Sequence, residues 1–247
     1  MWKSRPFASA APAAPSLPPG VRIYATGDIH GRDDLLEALL ARIDDDVARH
    51  PVERPISVFL GDYIDRGPKS AAVVSRLIER SAQGLAICLR GNHELYVPEF
   101  LRNPAILRAW GQYGGLSTLL SYGLSPSLSP TPQEEEELAA ELDHVLPADH
   151  RRFYETLPLS FSCGDYFFVH AGVRPGASLA RQRDDDLLWI RDEFLTCEEP
   201  FEKIVVHGHT PVMEPDVRRN RINVDTGAYA TGRLTCLRLE GRDVAFL

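Results

Sequence analysis

Short apolar runs alternate with helical patterns along the first third of the chain. The apolar runs at 21–26, 56–60 and 85–89 predict three buried strands. Between them, residues 33–47 and 69–81 carry the apolar spacing of amphipathic helices. Such closely spaced, alternating segments predict parallel strands joined by right-handed helical crossovers.

The pattern changes twice beyond this region. Residues 94–156 look helical but irregular, with a Gly-rich stretch at 110–115 and a Ser/Pro loop at 125–132, which predicts an inserted helical cap. From residue 159 onward strand patterns dominate and predict a second sheet. These strands are expected at 159–162, 166–169, 204–206, 221–224, 234–239 and 244–247.

The expected fold class is therefore α/β (α+β), with two mixed sheets and helices outside them. We expect a single domain over residues 20–247, with the cap at about 94–156. Residues 1–19 are rich in Ala and Pro, and their prolines interrupt any continuous apolar region of a signal peptide. They are predicted to form a disordered arm.

Composition narrows the classes of function. The net charge of −8 argues against broad nucleic-acid binding, which usually requires a basic surface. No apolar run is long enough to cross a bilayer, so we expect no membrane partner and a cytoplasmic protein. The four cysteines are scattered without a CxxC pair, which favours reduced thiols over a disulfide framework.

Five short polar motifs each follow directly on a predicted strand. In open α/β sheets, ligands bind in the crevice beyond the carboxyl ends of the strands, so these motifs are expected to converge on one site. The motifs are GDIHG at 27–31, GDYIDRG at 61–67, GNHE at 91–94, VHAG at 169–172 and HGHT at 207–210.

The motifs contain the ligands for a dinuclear metal centre. Asp28 and His30 lie two residues apart, so on an extended strand end they project to the same side and can hold one ion. A carboxylate oxygen with an imidazole nitrogen suits Mn, Fe or Zn better than Ca or Mg. Asp62 could bridge to a second ion through its two oxygens. The neutral ligands expected for that second ion are Asn92, His170 and His209.

Paired metals can hold a bridging water as hydroxide and clamp phosphoryl oxygens for in-line attack, so no protein nucleophile is required. The leaving group still needs a proton, and His93, beside Asn92, is the expected donor, with Asp65 placed to orient it. Arg66 offers a planar guanidinium fork to the phosphate.

The combined pattern GDxHG, GDxxDRG and GNHE resembles the calcineurin-like metallophosphoesterases, and within them the PPP-type serine/threonine phosphatases in their bacterial and phage-like form. The resemblance extends from about Tyr24 to Leu239 and includes the stretch Leu188–Arg191. It implies a four-layer sandwich and two divalent ions, usually Mn in vitro, with Fe and Zn as alternatives.

The resemblance also implies residue roles. Asp28, His30 and Asp62 would hold the first metal, and Asp62 would share the second with Asn92, His170 and His209. His93 and Asp65 would form the acid pair. The residues expected on the phosphate are Arg66, Arg191 and Asn92.

Two residues keep open alternatives. His207 forms a His-x-His pair with His209, which the wider superfamily uses to bind both metals. The Gly-His-Thr pattern of the phosphoprotein branch instead favours a structural role for His207. Tyr229, after the sequence DTGA, either approaches the site or belongs to a simple turn.

Three functions remain in competition. The leading hypothesis is hydrolysis of phosphoserine and phosphothreonine in phosphoproteins or phosphopeptides. The alternative is a diadenosine tetraphosphate hydrolase of the sister group, which uses the same motifs, because substrate choice is set outside the metal site. A third interpretation, a non-catalytic scaffold on the same fold, would be expected to have lost ligands or the acid, and this chain keeps them.

Overall fold

The computed structural model describes residues 14–247, which form ten strands and ten α-helices. The strands are β1 (Val21–Thr26), β2 (Arg54–Phe59), β3 (Ala86–Cys88), β4 (Ser160–Cys163), β5 (Tyr166–Val169), β6 (Ile204–His207), β7 (Asp216–Val217), β8 (Arg221–Asn223), β9 (Cys236–Glu240) and β10 (Asp243–Phe246). The helices are α1 (Asp33–Arg49), α2 (Ser70–Ala82), α3 (Tyr96–Arg102), α4 (Leu107–Gln112), α5 (Gly115–Ser121), α6 (Pro132–Val145), α7 (Ala148–Thr156), α8 (Asp184–Trp189), α9 (Asp192–Leu195) and α10 (Ala228–Thr231).

The strands form two five-stranded mixed sheets, as predicted. The first has the order β10-β9-β1-β2-β3, and its strands β1, β2 and β3 run parallel. The second has the order β4-β5-β6-β8-β7, with β5, β6 and β8 parallel. The predicted parallel βαβαβ arrangement of the first third is thereby confirmed. The pattern missed β7, because two residues are too short to show a strand period.

The two sheets pack face to face with helices on both outer sides. Alternate residues of β1 show why: Ile23 and Ala25 point into the core between the sheets, whereas Tyr24 packs under the helices on the other face. A separate apolar cluster joins the outer face of the second sheet to α8 and α9. The result is the four-layer arrangement of helices, sheet, sheet and helices.

Five helices, α3 to α7, occupy the region predicted as a cap. Helices α5 and α7 pack against α2, so the insertion lies on the outer side of the first sheet. The limits proposed for the domain and for the cap stay predictions. In residues 14–247, no helix is long and apolar enough to cross a lipid bilayer.

The beginning of the chain differs from the expected arm. Residues 1–13 of the predicted disordered arm lie outside the described residues. Residues 14–19 also belong to that prediction, yet Leu17 is buried and its N–H donates to the carbonyl of Gly241 at 2.8 Å. Ser16 exchanges hydrogen bonds with Asp165. This segment is therefore held between the β9–β10 turn of the first sheet and the β4–β5 turn of the second.

Candidate active site

The site lies where the carboxyl ends of parallel strands from both sheets meet. From the first sheet, the loops after β1, β2 and β3 bring the motifs at 27–31, 61–67 and 91–94 together. From the second, the segments after β5 and β6 contribute His170 and His209. The predicted convergence of the five motifs follows from this parallel arrangement.

Asp62 occupies the centre of two buried groups of ligand-type side chains. In the first group, His30 Nε2 lies 3.5 Å and His93 Nε2 lies 3.7 Å from Asp62 Oδ2. In the second, His170 Nε2 lies 3.4 Å from Asp62 Oδ1, and His209 completes the group. Within each group, one ligand-type atom per residue lies within 4.8 Å of the others. A carboxylate shared by two groups is the arrangement that two neighbouring metal ions require.

Hydrogen bonds at the far ring nitrogens prepare these imidazoles to bind a cation. His30 Nδ1 donates to the carbonyl of Ile64 at 2.7 Å, and His170 Nδ1 donates to the carbonyl of Leu60 at 3.0 Å. Since a carbonyl can only accept, the neutral form of each ring has its proton on Nδ1 and an Nε2 lone pair directed at the cluster. Burial also lowers the pKa of His30 to about 3. The neutral form that a metal needs is thus favoured.

In the second group, several nitrogen and oxygen atoms with lone pairs point at one another, and there are too few N–H groups to join them all by hydrogen bonds. His170 Nε2 lies 2.9 Å from Asn92 Oδ1 and 3.1 Å from His209 Nδ1. His209 Nε2 is buried without a hydrogen-bond partner, and burial lowers the pKa of this residue to about 2. A divalent cation would satisfy the converging atoms of Asn92 and His170 and one ring nitrogen of His209, so the side chains present fit a metal site.

The backbone at the site is held in conformations that side chains rarely adopt. Within residues 14–247, five non-glycine residues have positive φ, and every one of them is a predicted site residue. They are His30, Asp62, Asp65, Arg66 and His209. Each such residue costs about 1–3 kcal/mol and persists only where surrounding contacts enforce it. The concentration of strain at this place indicates that the geometry serves a function.

Glu94 is one of the groups that enforce this geometry. Its buried carboxylate accepts the backbone N–H groups of Asp62 and Tyr63, both at 2.8 Å, and that of Gly91 at 2.9 Å. It therefore ties the loop after β2 to the loop after β3. The sequence analysis gave this last residue of the GNHE motif no role, because a Glu beside His93 could equally face solvent.

His93 and Asp65 form the pair that the sequence predicts. Asp65 Oδ2 accepts from His93 Nδ1 at 2.5 Å and from Trp110 Nε1 at 2.9 Å, while its Oδ1 accepts from Thr118 Oγ1 at 2.6 Å. Burial alone would lower the pKa of His93, but the negative charges of Asp62 and Asp65 outweigh it and the net shift is upward. When this ring carries both protons, its Nε2–H faces the cluster, because Nδ1–H is donated to Asp65.

Asp28 takes a different position from the one expected of a ligand. The described structure does not include it in either group of converging ligand atoms. Its two carboxylate oxygens instead accept the backbone N–H of His209 at 3.1 and 3.2 Å. Burial, with the nearby negative charges of Asp225 and Asp62, raises the pKa of Asp28 well above its usual range. A bound cation would relieve this repulsion, so the ligand role of Asp28 stays a prediction.

Asp225 is a site neighbour that the sequence analysis missed. It follows β8, its Oδ1 accepts the N–H of Gly227 at 2.8 Å, and its Oδ2 is buried without a partner. Burial raises its pKa to about 6. The strand-end position after β8 was the available signal, since it matches the positions of the five motifs.

His207 lies outside both groups. It is fully buried at the end of β6, where its ring packs edge-on against Phe194 with centroids 4.8 Å apart. Its Nδ1 approaches the carbonyl of Gly208 at 3.1 Å. This placement matches the structural role expected for it and not the ligand alternative.

An open cavity of about 220 Å³ gives access to the cluster. Arg66 and Arg191 both line it: Arg66 Nη2 lies 3.5 Å from His93 Nε2, and Arg191 Nη1 lies 3.4 Å from Thr210 Oγ1, next to His209. Tyr229 lines it as well, with the Arg66 guanidinium 4.6 Å from its ring centre. One cationic fork thus stands beside each group of ligands, as phosphate binding requires.

The chain belongs to the calcineurin-like phosphoesterase family, whose profile matches residues 21–239. It is therefore a metallophosphoesterase-type hydrolase, from a family that typically binds two divalent metal ions. Curated relatives are asymmetrical bis(5'-nucleosyl)-tetraphosphatases PrpE. The protein of Oceanobacillus iheyensis is 28% identical over 90% of both chains. That of Bacillus subtilis is 29% identical over 85% of this chain and 88% of its own.

Solved structures support the fold. A protein provisionally described as a diadenosine tetraphosphatase has a TM-score of 0.61 at 21% identity, covering 95% of this chain and 98% of its own. The cold-active protein tyrosine phosphatase of a psychrophilic Shewanella has a TM-score of 0.58 at 15% identity, covering 94% and 80%. At these identities the likeness concerns the fold alone.

The relatives correct one prediction. The leading hypothesis from the sequence, hydrolysis of phosphoserine and phosphothreonine in proteins, is wrong. Relatives that match most of this chain carry the name of a dinucleoside tetraphosphatase. The alternative kept in the sequence analysis is the one that these relatives favour. The error arose because both groups share the motifs that build the metal cluster.

Proposed function

We propose that this protein hydrolyses bis(5'-nucleosyl) tetraphosphates asymmetrically, releasing a nucleoside monophosphate and a nucleoside triphosphate. The observation that carries the proposal is the shared name of its curated relatives, which are 26–29% identical over 85–90% of this chain. The site's geometry is compatible with such a substrate, because a polyphosphate offers several anionic groups to several cationic ones.

We assign the metal ligands as predicted: Asp28, His30 and Asp62 for one ion, and Asp62, Asn92, His170 and His209 for the other. When bound, two divalent ions supply charge stabilisation for the phosphoryl oxygens and activation of the attacking water. Mn is our proposal for the native metal, with Fe and Zn as alternatives. The remaining steps belong to the protein's own side chains.

Arg66 and Arg191 bind and orient the polyphosphate in this proposal. They line the same cavity, and Arg66 is stacked on Tyr229 at 4.6 Å, which restricts its guanidinium before substrate arrives. Two pre-positioned forks can hold two phosphates of one chain, whereas a phosphomonoester offers only one.

His93 holds the proton for the leaving group. During hydrolysis a water oxygen bonds to phosphorus, the bond from phosphorus to the bridging oxygen breaks, and that oxygen leaves on the triphosphate or the monophosphate. When His93 carries both ring protons, which the charges of Asp62 and Asp65 favour, it presents Nε2–H to the cavity, because its Nδ1–H is donated to Asp65. Trp110 and Thr118 hold Asp65 in turn and so fix the imidazole's orientation.

Product analysis tests the proposal. Mn-loaded protein is incubated with diadenosine tetraphosphate, and the nucleotides are separated by chromatography, with Asp62→Asn as the inactive control. We expect AMP and ATP in equal amounts. ADP alone would indicate symmetrical cleavage, and an intact substrate alongside rapid dephosphorylation of phosphopeptides would contradict the proposal.

A further inference from the structure

Three large aromatic side chains stand at the mouth of the active-site cavity with much of their surface exposed. Tyr113 is 46% exposed, and Trp189 and Tyr229 are each 40% exposed. Exposed aromatic surface gathered in one place usually marks a binding site. Here it lies beside Arg66 and Arg191, and an aromatic face next to phosphate-binding cations is the chemistry that recognises a nucleotide.

The two tyrosines already contact residues of the site. Tyr229 carries the Arg66 guanidinium on its ring, and its edge contact with His30 has a centroid distance of 5.5 Å. Tyr113 packs against Tyr96 at 5.9 Å and against His93 at 6.3 Å. These two rings support the catalytic side chains from the outside.

Trp189 has a freer ring. Among aromatic residues of the described chain, it contacts His209, with centroids 6.2 Å apart and planes at 87°. Its backbone is well anchored, because Leu188 and Ile190 on either side are buried. It ends α8 and stands two residues before Arg191. An anchored indole thus contacts a predicted metal ligand and lines the same cavity as a predicted phosphate ligand.

We infer that Trp189 is a stacking platform for a nucleobase of the substrate. The inference rests on the proposed function and extends it to how the substrate is positioned, that is, which of its phosphates lies at the cluster. Asymmetrical cleavage breaks the anhydride bond between the first and second phosphates, so one nucleoside lies within two phosphate groups of the reacting phosphorus. A base stacked on Trp189 places its own phosphates at Arg191 and the cluster, which determines which bond is broken.

Binding of unreactive ligands tests the platform directly. Isothermal titration of Mn-loaded protein with adenosine 5'-methylenediphosphonate and with methylenediphosphonate compares ligands with and without the nucleoside. We expect wild type to prefer the nucleoside ligand by about fivefold or more, the factor that base stacking on an aromatic ring provides. Trp189→Leu should lose most of this preference, and Trp189→Phe, which keeps a ring face, should retain much of it.

The same variants separate the inference from the function. Thermal unfolding of each variant first checks that the fold is intact, with Trp189→Phe as the milder replacement. Suppose that wild type cleaves diadenosine tetraphosphate, but Trp189→Leu prefers the nucleoside ligand over methylenediphosphonate as strongly as wild type does. The platform is then refuted and the function stands. If wild type leaves the dinucleotide intact while the preference depends on Trp189, the function fails and the platform stands. Phenylphosphonate carries a ring but no nucleobase. If Trp189→Leu lowers the affinity for phenylphosphonate as much as that for adenosine 5'-methylenediphosphonate, selection of a nucleobase is refuted.

Discussion

Removing the Glu94 carboxylate should release the loop that carries Asp62. Glu94 is 1% exposed and accepts three backbone N–H groups from two loops. Glu94→Ala leaves the amides of Asp62, Tyr63 and Gly91 buried without this acceptor. Asp62 itself is held at a φ of +53°, a conformation that only such contacts maintain.

The magnitude follows from these bonds. Burial raises the pKa of Glu94 to about 8, so much of this side chain is protonated at neutral pH and its hydrogen bonds are those of a largely neutral acceptor. Removing it leaves three buried N–H donors without a protein partner, at about 1–3 kcal/mol each, and water entering the vacated space recovers part of this cost. We therefore expect Glu94→Ala to lower the free energy of unfolding by about 3–5 kcal/mol. For a chain of this size, each kcal/mol lowers Tm by roughly 2–4 °C.

Thermal unfolding of the metal-free protein, followed by circular dichroism in chelator, measures this effect without interference from bound ions. Glu94→Gln keeps one carbonyl acceptor and should fall between wild type and Glu94→Ala. Glu99→Ala serves as the matched control, since the Glu99 side chain is half-buried and forms its ion pair with Arg102, whose side chain is 72% exposed. An unfolding free energy for Glu94→Ala within about 1 kcal/mol of wild type would refute the reasoning.

Three further predictions concern the metal cluster, the proton donor and a buried histidine. Asp62→Asn should weaken metal binding and activity together, because Asp62 is shared by both groups of ligands. His93→Ala should instead lower kcat for diadenosine tetraphosphate by about 100-fold while the bound metal is retained. Equal loss of metal and activity in His93→Ala would instead make His93 a ligand. His150 is buried, with its Nδ1 2.8 Å from the Tyr122 hydroxyl and its Nε2 3.0 Å from Ser75 Oγ. Burial lowers its pKa below the ordinary 6.5. Because the folded protein binds this proton less readily than the unfolded chain, His150 contributes its full stability to the fold above pH 6.5. That contribution falls as the pH drops from 6.5 toward the lower pKa of His150 in the folded protein. The difference in unfolding free energy between wild type and His150→Gln, measured by urea denaturation, should shrink from pH 8 to pH 5, and a constant difference would contradict this.

The sequence predicted the two sheets because their buried strands are continuous apolar runs with polar residues directly after them. β1 and β5 match their predicted bounds of 21–26 and 166–169. Helix α1 was expected at 33–47 and extends to Arg49. β7 escaped detection, since a two-residue strand leaves no periodicity to read.

The residues of the site could be named from their motifs, but their contacts could not. His30 and His170 hydrogen-bond to main-chain carbonyls of Ile64 and Leu60, and a carbonyl leaves no mark in a sequence. The bond between Asp28 and the N–H of His209 spans the two sheets and depends on their packing. Glu94 lies in a named motif, but its three contacts could not be read from the sequence, and Asp225 was missed although it follows the end of a strand.

Substrate choice was the part that the motifs could not decide. In their proposed roles, Asp62, His93 and Arg66 would serve any phosphoester or phosphoanhydride in the same way, because those roles concern only the reacting phosphoryl group and its leaving oxygen. Substrates differ in the groups attached to the phosphate, and such groups would extend to the rim of the cavity, which Tyr113, Trp189 and Tyr229 line. Tyr113 and Tyr229 stand outside the five motifs, and Trp189 lies in the stretch Leu188–Arg191, so only the three-dimensional structure brings the three together.

The most direct test of the proposed function is the product ratio from diadenosine tetraphosphate. Mn-loaded wild type, with Asp62→Asn as control, is sampled at early times and its AMP, ADP and ATP are quantified by chromatography. The account predicts AMP and ATP in equal amounts, with no release by Asp62→Asn. Absence of nucleotide release from wild type, or ADP as the sole product, would contradict it.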